Sequence, residues 1–195
     1  MSTREKIKEA ALHLFAEKGF VGMTMSEIAK EVGIKAPSIY AFYKNKQDLF
    51  LELYEDVLRD HSTIVAKQVD ENVSIREQLY TLLKTTVDYQ FETEQKNKIV
   101  IRLISFPPDF LEDEILIKFQ EFETNEKKHI EQLLQIGIAQ NEVKKLDLSF
   151  MSDTFLCLMD GLFWEMQRLS KEKMYQRVER VFEVYWSGIE ATHER

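Results

Sequence analysis

Cysteine is almost absent from this chain, and proline and glycine are scarce. Cys157 is the only cysteine in 195 residues, which excludes an internal disulfide and a cysteine-rich zinc site. That usage fits a reducing compartment. Three prolines and six glycines are too few turn signals for a β-sandwich or barrel, which needs them at short, regular intervals. No stretch approaches the roughly 20 apolar residues of a membrane-spanning helix. The opening Met1-Ser2-Thr3-Arg4-Glu5-Lys6 lacks the apolar centre of a signal peptide. A cytoplasmic location with no membrane partner is therefore expected. His13, His61, His129 and His193 show no ligand spacing, so neither a metal nor a cofactor is expected. His129, beside Glu126 and Glu131, reads as part of a solvated helix face. No nucleophile elbow, phosphate loop or obvious acid–base pair is present, so an enzyme is not expected.

What remains is a helical composition, 44% hydrophobic and 31% charged, ordinary for a folded soluble chain. The net charge of −8 argues at first sight against a nucleic-acid partner, but it is unevenly spread. Residues 1–50 carry eight Lys/Arg against six Asp/Glu, a balance of +2. The remainder carries 18 against 28, a balance of −10. A mildly basic end on an acidic body suggests two jobs, one of them facing phosphate.

Helix-start signals divide the chain. Ser2-x-x-Glu5 and Thr24-x-x-Glu27 are capping boxes. The first opens a helix through Ile7, Ala10, Ala11, Leu14 and Phe15 to Gly19. The second opens a short helix stopped by Gly33, as a left-handed terminal residue does. Pro37 opens a third, running to about Tyr43. Asn45 caps a long fourth helix, about 46–69, with Leu49, Phe50, Leu53, Tyr54, Val57, Leu58, Ile64 and Val65 on its buried side. Further helices are expected from Ser74 to about Glu94, Asn97 to Ile104, Asp109 to about Asn141, Asp147 or Ser149 onward, and Ser170 onward. Pro107-Pro108 forces a break. The fold class is all-α, with about nine helices and no strand.

Thr24 to Phe50, TMSEIAKEVGIKAPSIYAFYKNKQDLF, reads as helix, tight glycine turn and second short helix. That is a helix-turn-helix, whose second member enters the major groove. Ile28, Ala29, Val32, Ile34 and Ile39 are expected to hold the pair together, leaving Lys35, Ser38, Tyr40 and Lys46 outward.

The stretch resembles the TetR/AcrR family of regulators. The resemblance is carried by Thr24, Ile28-Ala29, Val32-Gly33-Ile34, Ser38-Ile39-Tyr40-x-Phe42-Tyr43, Lys44-Asn45-Lys46 and Leu49. Phe15-Ala16-Glu17-Lys18-Gly19-Phe20 before it matches too. Gln135–Gln140 and Met159-Asp160-Gly161-Leu162 resemble looser features of the family's regulatory region. The resemblance implies a DNA-binding domain at 1–46 and a ligand-binding, dimerisation domain at 47–195, joined by the fourth helix. It makes Thr24 and Ser26 phosphate-side candidates, though capping accounts equally well for Thr24. Lys35, Ala36 and Pro37 fall where base edges are read. Ser38 and Tyr40 match phosphate and groove contacts, and Lys46 a phosphate clamp. Tyr43 points its hydroxyl to phosphate or to solvent.

The rest of the chain is apolar in patterns that fit two destinations. Leu158, Leu162 and Met166, with Val178, Phe182, Tyr185, Trp186 and Ile189, are candidates for a four-helix dimer interface or for an internal core. The resemblance, not the spacing, implies an effector pocket, for which Tyr89, Phe91, Ile101, Phe106, Phe110, Phe122, Phe155, Met159 and Trp164 are candidate walls, each of them otherwise core. As a class they favour a lipophilic small molecule. The resemblance implies a repressor that binds a palindromic duplex operator as a homodimer and is released by that effector. The competing expectation is an architectural or protein-binding helical module.

Overall fold

Most of the helices described in this chain begin where a side chain takes up backbone donors left free in the first turn. The computed structural model describes residues 1–66, 72–93, 96–97, 101 and 105–191, with 64–66 as backbone only. Ser2 Oγ accepts from Glu5 N at 3.2 Å, and Ser2 N donates to the Glu5 carboxylate at 2.5 Å, opening α1 (Thr3–Gly22). Gly19 breaks that helix at φ 71°, as expected, but the chain resumes one further turn to Gly22. Thr24 and Glu27 close the second capping box over α2 (Met25–Val32). The third helix, α3 (Ala36–Ile39), is shorter than expected. It continues to Tyr43 only as hydrogen-bonded turns, Phe42 N to Ile39 O at 3.0 Å and Tyr43 N to Ile39 O at 3.2 Å. Asn45 Oδ1 accepts from Asp48 N at 2.8 Å and caps α4 (Lys46–Ala66).

Beyond these come α5 (Ile75–Glu92), a 3-10 turn (Asp109–Leu111) after Pro107-Pro108, α6 (Glu112–Ala139), α7 (Leu148–Glu165) and α8 (Lys171–Ile189). Asp147 caps α7 through Phe150 N at 2.9 Å, and Ser170 caps α8 through Lys173 N at 3.5 Å. Eight α-helices are thus present among the described residues, and the fold is all-α. The side chains of Ile64 and Val65, the end of the fourth helix beyond 66, Glu94, and most of the Asn97–Ile104 segment lie outside the described residues, as does His193.

The chain divides into two compact units, Met1–Asp60 with Thr93–Gln120, and His61–Glu92 with Glu121–Arg195. In the first, Ile7, Ala11, Phe15, Ile28, Ala29, Ile39, Leu49, Phe50 and Tyr54 form the core. Phe15 and Phe20 meet the Phe50 ring at 4.7 and 4.9 Å between centroids. Outside this core, Arg4 and Lys8 of α1 clasp Glu52 of α4, and Lys8 also reaches Asp56 at 2.5 Å.

Hydrogen bonds from Arg4, then Lys8, hold the Glu52 carboxyl down at about 2, against 4.5 ordinarily. A depressed folded-state value means the clasp contributes fully above about pH 4.5 and is lost as pH falls toward 2. Glu52→Gln should therefore flatten the loss of stability between pH 5 and 2. The effect is expected to be about 1 kcal/mol after solvent screening, read by urea unfolding at stepped pH.

In the second unit one face of α8, formed by Met174, Val178, Phe182, Tyr185, Trp186 and Ile189, packs on Leu79, Leu82 and Leu83 of α5 and on Met151, Phe155 and Leu162 of α7. Tyr185 Oη donates to Met151 O at 3.1 Å. The expected dimer residues Leu162, Val178, Phe182, Tyr185, Trp186 and Ile189 are thus core of their own chain. Helical periodicity shows that a face is covered and not by which molecule. Leu158 and Met166 are only half-buried.

The far end of this unit is closed by long-range backbone ties. Lys144 N donates to Ile189 O at 2.7 Å, and Ala191 N to Glu142 O at 2.9 Å. The Glu142 carboxylate accepts from Ile75 N at 3.0 Å, capping α5 from 67 residues away. Gly137 of α6 lies beneath: a Cβ there would stand 2.6 Å from Val143 Cγ2 and 3.2 Å from the Ile75 side chain. Gly137→Ala gains about 1 kcal/mol of helix propensity. The overpacking costs about 1–3 kcal/mol, so a net loss in unfolding midpoint is expected by denaturant titration.

Candidate nucleic-acid interface

The pairing of α2 and α3 rests on a short apolar seam and one glycine. Ile28, Ala29 and Ile39 are fully buried between them. Alanine at 29 lets the two backbones approach. Gly33 adopts φ 77°, which side chains with a Cβ resist, and its N–H donates to the carbonyls of Ala29 and Lys30. Ile34 N then donates to Ala29 O at 2.9 Å, completing the turn. Val32 and Ile34, expected in the seam, are half-buried at its rim.

This packing leaves a polar surface. Thr24, Ser26, Lys35, Pro37 and Ser38 are exposed, Ala36 is half-buried, and Tyr40 is 54% exposed. Thr24 is engaged in its cap: its backbone N–H and hydroxyl both donate to the Glu27 carboxylate, at 2.9 and 2.8 Å. Lys18 adds a hydrogen bond to Glu27 at 2.8 Å, and these contacts, Lys18 first, hold its carboxyl near 2. A carboxylate inside this surface is therefore neutralised locally. Lys35 and Lys44 stand exposed close by in sequence.

Two expected contacts are placed elsewhere. Tyr43 is only 3% exposed, and the Arg4 guanidinium lies 4.8 Å from its ring centroid. Its hydroxyl is buried away from solvent. Burial, then the nearby Glu52 carboxylate, raises that phenol above its ordinary value. Lys46 is half-buried, and its ammonium donates to Phe20 O at 2.6 Å and Met23 O at 3.0 Å. Burial pulls it below the ordinary lysine range. Neither arrangement is legible from local spacing, because both partners arrive from α1.

The expected pocket residues fall in both units, Ile101, Phe106 and Phe110 in the first and the others in the second. Phe155 is fully packed in the second core, Met159 nearly so, and Phe91 is half-buried against it. Phe106, Phe110 and Trp164 are exposed, and the Phe110 ring lies tilted against Phe20 in the first unit, 5.5 Å between centroids. Ile101 is half-buried. Tyr89 and Phe122 both meet the His61 ring, at 5.9 and 5.5 Å between centroids. A shallow groove on α6 is lined instead by Gln132, Leu133, Gln135, Ile136 and Ala139.

Sequence reading also missed a buried polar pair. His61 Nδ1 lies 2.6 Å from Glu126 Oε1, the two residues 8% and 5% exposed. Glu126 is therefore no part of a solvated face, and His129 is half-buried. Burial first, then the Glu126 charge, raises the Asp160 carboxyl; burial, then Asp160 and Glu126, raises that of Glu123. No group of residues able to hold a metal ion occurs among the described residues. No helix among them is long and apolar enough to cross a membrane.

Residues 7–53 match the family described as bacterial regulatory proteins of the tetR family. The match is to the helix-turn-helix segment, about a quarter of the chain. Among similar proteins, the biofilm operon icaADBC negative transcriptional regulator IcaR of Staphylococcus epidermidis is 32% identical over 121 residues. That match covers 62% of this chain and 63% of IcaR. A TetR transcription regulator from Haloarcula marismortui has the same fold, with a TM-score of 0.81 at 16% identity over 96% of this chain and 98% of that one. FadR from Bacillus subtilis, solved in complex with stearoyl-CoA, gives a TM-score of 0.74 at 21% identity, covering 95% of this chain and 98% of its own.

Proposed function

We propose that this chain is a cytoplasmic transcriptional repressor that binds a palindromic operator as a homodimer and is released by a small lipophilic effector. The carrying observation is the sealed seam of Ile28, Ala29 and Ile39, which leaves Ser38 and Tyr40 exposed on and just after α3. A helix so held can enter a major groove by its N-terminal residues. Ser38 and Tyr40 contact phosphate and groove edges, with Lys35, Ala36 and Pro37 at the bases and Thr24 and Ser26 beside the backbone. Ala36 and Pro37 donate no hydrogen bond and suit a thymine methyl. The DNA-reading part is residues 1–46, and 47–195 holds effector and partner.

Of the residues expected at a dimer interface, Leu158 and Met166 keep partly exposed surface for a second copy. Exposed Phe150 and Trp164 of α7 and Val184 of α8, the last 74% exposed, supply apolar surface. Gly161 and Gly188 have open space where a Cβ would stand, allowing close approach of a second copy. A lipophilic effector is supported by the stearoyl-CoA complex of a protein of the same fold, and Tyr89 and Phe122 beside His61 are the wall residues retained for it. Effector binding would shift the equilibrium between two arrangements of the dimer, with a coupling of about 1–3 kcal/mol.

The test is selection from a random duplex library with sequencing of bound DNA. Enrichment of a palindrome whose half-sites lie one turn apart, about 34–36 Å, or a multiple of it, supports a dimeric operator binder. Binding without enrichment supports the architectural module instead.

A further inference from the structure

The segment 105–117 of the first unit turns apolar and acidic side chains to solvent and contains no basic residue. Phe106 is 84% exposed before Pro107-Pro108, and Phe110, Leu116 and Ile117 are each more than half exposed. Asp109, Glu112, Asp113 and Glu114 stand exposed among them. Leu111 and Ile115 are buried in the core of the unit, which fixes the side of α6 that faces out. At 3.6 residues per turn, Ile117 follows Asp113 by about one turn and Phe110 by about two, with Leu116 beside this line. Glu112 falls next to Leu116 at the i to i+4 spacing, and Glu114 next to Ile117 at i to i+3. The result is an apolar strip about 10 Å long with a carboxylate on either side.

The helix dipole accounts for acids in the first turn of α6, and not for the apolar residues between them. Lone exposed apolar side chains are ordinary, but three on one arc of two turns mark a contact surface. Its charge selects the occupant. Duplex phosphate and an anionic lipid surface are repelled by these carboxylates. A second copy of the same face would bring like charges together across a two-fold axis. A polypeptide with apolar residues along one helix face and Lys or Arg beside them is complementary in both respects.

We propose that Phe110, Leu116 and Ile117, with Glu112, Asp113 and Glu114, form a docking surface for a basic amphipathic helix of another protein. The partner's apolar residues cover the strip, and its Lys or Arg side chains pair with the carboxylates. The surface belongs to the same unit as α2 and α3, so a partner held there is attached to the unit that carries the helix-turn-helix.

The experiment needs no DNA. Full-length protein is titrated against a labelled helical peptide of about 14 residues, four turns, with leucine at i, i+3, i+4 and i+7 and lysine elsewhere. Anisotropy reads the binding, and a matched peptide carries glutamate in place of lysine. Wild type is expected to hold the lysine peptide and not the glutamate one. Leu116→Gln with Ile117→Gln removes the apolar strip; Glu112→Gln, Asp113→Asn and Glu114→Gln together remove its charge. All five positions are exposed, so neither set opens a cavity. Each set should weaken binding of the lysine peptide about tenfold or more. A control triple, Glu9→Gln, Glu77→Gln and Glu172→Gln, removes exposed carboxylates elsewhere, two of them from first helical turns, and should change binding less than about twofold.

No binding of the lysine peptide by wild type, unchanged binding by either strip variant, or a control loss equal to that of the acidic triple overturns the inference. The last result would show only general attraction to a chain of net charge −8. Should the acidic triple lose helix by circular dichroism, the glutamine pair at 116 and 117 and the glutamate peptide decide the matter. Sedimentation of wild type and that pair is read alongside. Self-association of wild type that the pair abolishes assigns the strip to a second copy and overturns the inference too.

Discussion

Replacing Ser38 and Tyr40 together by alanine is expected to weaken operator binding by about a hundredfold or more, with little change in folding. Both side chains are exposed, so neither substitution opens a cavity or strands a buried group. Their hydroxyls are neutral donors, worth about 0.5–1.5 kcal/mol each in a formed contact. Two per subunit and two subunits give about 2–6 kcal/mol, which brackets the hundredfold figure. Because no charge is removed, the salt slope should stay near its wild-type value, unlike the effect of deleting a phosphate-bound lysine. Anisotropy titrations with the selected operator read the affinity, and thermal unfolding confirms the fold. An affinity within about threefold of wild type would remove α3 from the interface.

The parts of this surface that sequence disclosed are those whose partners lie three or four residues away. Ser2 with Glu5, Thr24 with Glu27, and Asn45 with Asp48 are short-range caps, and all three form. Gly33 was legible because a left-handed turn has few other occupants. Tyr43 and Lys46 sit in the same motif, yet their environments come from α1: Arg4 over one ring, and two carbonyls around one ammonium. Spacing along the chain carries no record of such approaches. The same limit explains α8, whose apolar stripe was clear while its partners, α5 and α7 of the same chain, were not. Val184 escaped attention for the converse reason, since a single exposed apolar side chain leaves no periodic trace. His61 and Glu126, 65 residues apart, could be paired only by the fold.

That pair supports the second large effect, on stability. Glu126→Ala is expected to cost about 3 kcal/mol, because it leaves His61 buried, without its acceptor, and beside a void. His61 belongs to the last part of α4 and Glu126 to α6, so the loss falls on the tie between those helices within the second unit. Replacing both residues by leucine should recover most of the loss. Removing a buried polar pair together spares the desolvation of each partner, whereas removing one does not. A further consequence separates this account from simple cavity formation. Asp160 and Glu123 are held above their ordinary values by burial, with the Glu126 charge adding to each. With Glu126 gone, both carboxyls should titrate at lower pH, a change that carbon-detected NMR of the side chains resolves. Urea unfolding of His61→Leu, Glu126→Leu and the double-leucine variant gives the coupling. Strictly additive losses would show that His61 and Glu126 do not stabilise the unit as a pair.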